Sequence, residues 1–152
     1  MFRISVILFA ASVVLGGQNA RAAASGKIVK VLPTLIDREG RHALAPSLYQ
    51  RDAYQEHLRQ SPQLRSGLRF DVQWKARETG ALKLRVEMRG GHEQEQTTLV
   101  AEQPVKAPRL FRKWSTIEVR GKEYRNFGDL LAWRATLWDG DRIVAEQKSF
   151  LW

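Results

Sequence analysis

The chain has 152 residues, 43% of them hydrophobic and 27% charged, with a formal net charge of +9 and no cysteine. That length fits one domain with its own core. The lack of cysteine excludes disulfide staples, thiol nucleophiles and thiolate metal sites, and the positive balance favours anionic partners.

Arg3 opens a short positive region, and Ile4 to Leu15 is apolar apart from two serines. Gly16 and Gly17 follow. Ala20-Arg21-Ala22 and Ala22-Ala23-Ala24 then place small residues three and one positions before a cut. This is the order of a secretory signal peptide, and the apolar run is shorter than the ~20 residues a membrane-spanning helix needs. An uncleaved N-terminal anchor is the competing reading. The expected organisation is a signal over 1–22, cut as late as 24, and a single domain over 23–152 with no transmembrane helix. Removing Arg3 and Arg21 leaves 23 basic against 16 acidic side chains. An exported chain without cysteine points to a bacterial envelope protein, periplasmic or extracellular.

Lys27 to Asp37 reads as a first strand, with Pro33 placing it at a sheet edge. Arg38 to Arg41 reads as a turn and His42 to Gln50 as a loop. A short helix is expected near 52–60, with Asp52 as its cap, Gln55 completing a capping box, and Tyr54 and Leu58 on one face. From Gly67 the period changes to two. Leu68, Phe70, Val72, Trp74 and Ala76 alternate with charged and polar residues, and so do Leu82, Leu84, Val86 and Met88. Gly90-Gly91 opens a polar loop to Gln96. Thr97 to Gln103 is a polar strand closed by Pro104, and Trp114 to Arg120 is another strand. Gly121 to Gly128 is a connection holding Tyr124. Leu131, Trp133, Ala135 and Leu137 alternate inward, Asp139-Gly140 marks a hairpin, and Arg142 to Trp152 is the last strand.

These elements predict an all-β domain: an immunoglobulin-like β-sandwich of about seven strands with one short inserted helix near 52–60. The segments GRHALAPSLYQRDAYQEHLR, GLRFDVQWKAR, LRVEMRG and AWRATLWDGDRIVAEQKSFLW resemble a family of small exported bacterial proteins with an immunoglobulin- or fibronectin-like sandwich. The resemblance implies export and that fold, and it carries no functional residues across.

No catalytic constellation assembles from named residues. His42, His57 and His92 stand apart, and His92 with Glu93 and Glu95 reads as a solvated loop rather than a metal site. There is no G-x-S-x-G elbow, and Asp139 and Asp141 are ordinary hairpin residues. The expectation is therefore no catalytic residue, no metal and no cofactor. Trp138 faces outward by alternation. Its plainer role is packing against a neighbouring strand, and its sharper role is stacking on a ligand. Arg69, Lys75, Lys83, Arg85 and Arg89 fall on the outward side of their strands, diluted by Asp71 and Glu87. A solvated strand face mixes charge in this way. A ligand-binding face would take an anionic polymer.

The leading functional expectation is a non-catalytic envelope module that binds or scaffolds an anionic envelope polymer or another envelope protein, with Arg69, Lys75, Lys83, Arg85, Arg89 and Trp138 as its contacts. A small outer-membrane barrel, prompted by the terminal Phe150-Leu151-Trp152, is the alternative; charged outward positions oppose it. An enzyme comes last. The basic face depends on pairing. If 78–80 is a tight hairpin, its charges merge into one patch; if the chain crosses between sheets there, they form two. The processed protein is expected to begin at Ala23 or Ser25, and N-terminal sequencing of the exported form checks this. An intact Met1 in the released fraction removes the export reading.

Overall fold

The alternation read from the sequence becomes the core. The computed structural model describes residues 25–77, 81–92, 95–107 and 112–152. The signal-peptide assignment and the turn at 78–80 lie outside them. In β2 (Arg65–Arg77) the side chains of Leu68, Phe70, Val72, Trp74 and Ala76 are buried, and in β3 (Ala81–His92) those of Leu82, Leu84, Val86 and Met88. β1 (Ser25–Asp37) and β5 (Lys113–Arg120) flank β2, giving a three-stranded antiparallel sheet in the order β1-β2-β5. β4 (Glu95–Lys106), β6 (Asp129–Asp139) and β7 (Arg142–Lys148) complete a four-stranded sheet in the order β4-β3-β6-β7. Ile28, Val31, Ile117, Val119, Ala135 and Leu137 join the same apolar cluster from both sheets.

The chain therefore crosses between sheets after β2, and β5 crosses back. This is the immunoglobulin-like partition of strands, with the fourth strand set beside the third. The two sheets are separate layers facing one core, not the single closed ring of the barrel alternative. The crossing also settles the pairing of the basic strands: β2 and β3 are not neighbours, so Arg69 and Lys75 lie on one outer face and Lys83, Arg85 and Arg89 on the other.

Trp74 is wholly buried, and its indole N–H donates to Ser115 Oγ at 2.9 Å. The ring thus fills the core without leaving a buried donor unpaired. β1 is an edge strand, which is what Pro33 requires. Its exposed edge is answered by a side chain. Gln55 Oε1 accepts from the Leu35 amide at 2.7 Å, and Gln55 Nε2 donates to the Leu35 carbonyl at 3.0 Å and the His42 carbonyl at 2.8 Å. One amide side chain thus stands in for a strand neighbour and blunts the edge.

Several expectations are corrected. The helix α1 spans Leu48–Gln60 and starts after Ser47, not at Asp52. Its first turn exposes Leu48 and Tyr49, so no apolar period marks it. Asp52 instead meets Arg51, and Gln55 serves the β1 edge rather than a capping box. The connection after β5 holds a second helix, α2 (Gly121–Phe127), whose single buried residue is Phe127. Its form comes from packing, since a helix this short is marginal alone. Gly90 and Gly91 lie inside β3 rather than in a loop. A side chain at Gly90 would meet the Phe127 ring at 2.5 Å, and one at Gly91 would collide with the Glu95 carbonyl. Close packing, not turning, selects these glycines.

β4 runs through Pro104, which an edge strand tolerates. In the β3–β6 register Arg89 pairs with Ala132 and Gly90 with Leu130, so Leu131 is an unpaired bulge residue. It is 52% exposed, whereas Trp133, Ala135 and Leu137 pack on the core as expected. The last strand ends at Lys148, and residues 149–152 turn away from it. The Asp139-Gly140 hairpin stands as read, with Gly140 at φ 58.

Truncation of Trp74 to Ala is expected to cost about 3–5 kcal/mol through loss of buried contacts and the cavity left behind. Ser115→Ala, which leaves the indole N–H unpaired, is expected to cost about 1–3 kcal/mol. Urea midpoints of the two variants check the order; equal midpoints for parent and Trp74→Ala would mean the inward row is misassigned.

Candidate functional site

The outer face of the four-stranded sheet is built by the residues that alternate with the core. Lys83, Arg85, Glu87 and Arg89 project from β3, and the register sets Trp138, Thr136, Arg134 and Ala132 of β6 opposite them. On the other side Pro104, Glu102, Val100 and Thr98 of β4 complete each row.

Trp138 organises the upper rows. Its indole N–H donates to Thr136 Oγ1 at 2.8 Å, which satisfies a wholly buried hydroxyl. The Arg85 guanidinium lies 4.7 Å from its ring centroid and the Lys83 ammonium 5.8 Å. Both cations also reach Glu102, Lys83 at 3.1 Å and Arg85 through Nε. The ammonium of Lys83 hydrogen-bonded to Glu102 holds that carboxyl below its ordinary range, and Arg85 adds to the effect. Arg134 makes a second cluster, 3.6 Å from Glu87 and 2.6 Å from Glu146.

The lower row is different. Arg89 is exposed and stacks on the Trp152 ring, 4.0 Å from its centroid. Among the described residues it makes no ion pair. Trp152 is brought there by the C-terminal turn. Ser149 receives and returns hydrogen bonds with the Trp133 backbone at 2.9 and 3.0 Å, and the Trp152 amide donates to the Ser149 carbonyl at 3.2 Å. The reversal crosses β6 to reach β3. Phe150 and Leu151 stand out from it, 100% and 70% exposed.

The expected residues thus divide. Lys83, Arg85, Arg89 and Trp138 share one face. Arg69 and Lys75 are on the opposite sheet and belong to no common patch with them. Arg69 forms a two-pronged pair with Asp71, 2.9 Å on each side, and Thr116 donates to the same carboxylate at 2.6 Å. Lys75 is exposed opposite Lys27 in the register. Trp152 was missed because its partner lies two strands away; the only sequence signal was an aromatic near a strand end.

A cleft of about 400 Å³ lies between α1, β1 and β6, walled by Pro33, Leu35, Leu68 and Leu130 with Gln55 and Arg65. Its polar groups are committed to the fold: Gln55 to the β1 edge, and Arg65 to the Leu58 carbonyl at 2.5 Å, the Arg59 carbonyl and Asp129 at 2.6 Å. Among the described residues no three His, Asp or Glu side chains gather as a metal would need; Glu93 of the loop weighed above lies outside them. No helix of the described residues is long and apolar enough to cross a membrane.

The most perturbed carboxyl is Asp37, 3% exposed at the end of β1. Burial alone would push it up. Hydrogen bonds from Tyr54 at 2.5 Å, the Arg41 amide at 2.7 Å and Arg41 Nε at 2.8 Å overcome this and hold it far below the usual carboxylate range. The Asp37 carbonyl also accepts from Ser66 Oγ. Every group it meets ties β1, the turn, α1 or β2, so its role is structural.

No protein-family model, curated protein or solved structure matches this chain.

A carboxyl held low in the folded state contributes stability above its ordinary value of 3.8, lost as pH falls toward the folded value. Asp37→Asn is expected to cost about 2–3 kcal/mol at pH 7, for the charge-assisted bonds it weakens. The gap between parent and variant should narrow as pH drops below about 4. Urea midpoints from pH 7 to pH 2 test this, and parallel curves would contradict the assignment.

Proposed function

We propose that this chain is a non-catalytic, exported envelope module whose outer four-stranded face binds an anionic polymer. The observation that carries the reading is the Arg89–Trp152 stack, repeated along the same face by Arg85 on Trp138. A guanidinium stacked on an indole uses its face and keeps its N–H donors at the rim, aimed at solvent. The indole also limits the rotamers Arg89 would otherwise lose on binding. Arg85 and Arg89 are four residues apart on one strand, about 13 Å. Such spacing suits an extended polyanion that touches each cation in turn. The face is not a strong field, because Glu87, Glu102 and Glu146 balance most of it. Its affinity would come chiefly from Arg89, with Arg85 adding the terminal nitrogens it keeps beside Glu102, and with salt sensitivity to match. Export rests on the leader pattern of 1–22 and on the family resemblance.

The test is retention on immobilised heparin and on envelope polysaccharide across a salt gradient. Arg85→Gln with Arg89→Gln is expected to elute at clearly lower salt than the parent and to stay folded, since Arg89 is exposed and the half-buried Arg85 gives up one surface ion pair, worth about 1 kcal/mol at most. Trp152→Ala, which frees Arg89 without removing it, should fall between them. Elution of the double variant at the parent's position would leave the face as solvated surface only.

A further inference from the structure

A second concentration of charge lies away from both sheet faces. Arg38, Arg65, Arg120 and Arg125 line one hollow of about 410 Å³, with Ser66 and Gly121. They come from four separate places: the turn after β1, the start of β2, the end of β5 and the body of α2. Like charges gathered on one concavity repel, so the arrangement is stable to the extent that anions offset it.

The protein's own carboxylates offset part of it. Arg65, whose side chain is only 9% exposed, is locked by Asp129 at 2.6 Å and by the Leu58 and Arg59 carbonyls. Tyr124 shares a further side-chain hydrogen bond with it, so Arg65 is a fixed cation rather than an open fork. Arg120 spends Nε and Nη2 on Glu118, both at 2.9 Å. Its Nη1 lies beside Gly40, 3.1 Å from where a side chain there would begin, and so faces the turn that carries Arg38. Arg38 makes no ion pair among the described residues. The acids nearest to it in sequence, Asp37 and Glu39, are both taken by Arg41.

We propose that this hollow is a binding site for a phosphate ester. Guanidinium forks match tetrahedral oxyanions in pairs. A carboxylate fills one fork, whereas a phosphate monoester brings three acceptor oxygens and a charge of about −1.5 to −2. Several forks around one concavity suit the second. The buried, triply held Arg65 gives the site a fixed wall, and Arg38 and Arg120 supply adjustable donors at its mouth. The hollow has room for roughly a dozen waters, so it can admit the group that carries the phosphate as well as the phosphate itself. The site is distinct from the Arg85–Arg89 face and does not depend on that face binding anything.

The experiment titrates the full processed chain with inorganic phosphate and with glycerol phosphate, followed by thermal midpoint and by phosphorus NMR. Sodium chloride at equal ionic strength is the control. A second arm sediments the protein with phosphatidylcholine vesicles containing or lacking phosphatidic acid. Saturable stabilisation by the soluble ester beyond the chloride control, weakened about tenfold or more in Arg38→Gln with Arg120→Gln, is the expected result. Arg85→Gln with Arg89→Gln should bind phosphate as the parent does. Arg38→Gln alone removes an exposed side chain with no ion pair among the described residues and guards against unfolding; it too should weaken binding. Vesicle binding that needs both phosphatidic acid and these arginines would add a lipid-borne source, and soluble binding alone a soluble one. No response beyond chloride in either arm, or equal binding by the Arg38 and Arg120 variants, would overturn the proposal.

Discussion

With no cysteine in the chain, the two sheets are joined by the apolar layer around Trp74. That layer forms because β2 and β3 lie in different sheets, so their inward rows both reach the one core. The same crossing sends their outward rows in opposite directions. Core and surface are therefore one constraint: the placement that buries Phe70 and Trp74 also separates Arg69 from Arg85. Had the strands formed a hairpin, the charges would have merged into a single basic patch. Ser115 completes the arrangement, because an indole this deep requires an acceptor for its N–H.

Strand identity was legible residue by residue. Alternation places Leu68 through Ala76 and Leu82 through Met88 inward, and burial agrees at every one of those positions. Period two survives in these strands because one face is dry and the other wet. What escaped has a tertiary cause. Leu131 keeps the apolar identity of its neighbours but is expelled by a bulge, which a pattern of residue types does not encode. Gly90 and Gly91 read as a turn because glycine most often marks one, yet they are fixed by Phe127 and Glu95 on neighbouring elements. The α2 helix is too short to show a period. Gln55 read as a cap, whereas its amide serves a strand that lies twenty residues earlier.

The candidate sites were legible to a smaller degree, and for a related reason. Outward charge can be read along one strand, which is why Lys83, Arg85, Arg89 and Trp138 were found together. Their partners cannot, since Glu102 comes from β4 and Trp152 from a turn beyond β7. Those partners change the chemistry. Glu102 mutes Lys83 and Arg85, while Trp152 braces Arg89 and leaves its donors open. The arginine hollow was invisible because its members sit in a turn, a strand start, a strand end and a segment that read as a loop.

The surface charge is thus divided by place and by pairing. On the strand faces, cations are interleaved with Asp71, Glu87, Glu102, Glu118 and Glu146, an arrangement that keeps exposed sheets soluble and discourages edge-to-edge association. At the end of the sandwich the interleaving thins: arginines from four segments converge, with Asp129 paired to Arg65 and Glu118 to Arg120. Solubility alone asks for no such convergence, since scattered lysines would serve it better, being more strongly hydrated. Arginine is the residue whose fork is wasted in water and used on a planar or tetrahedral anion. The buried Arg65 sharpens the point. Its bonds to two carbonyls and Asp129 already fix α1 against β2 and β6, so the wall that anchors the helix is also the wall of the hollow, and an anion seated there would tighten the joint between them.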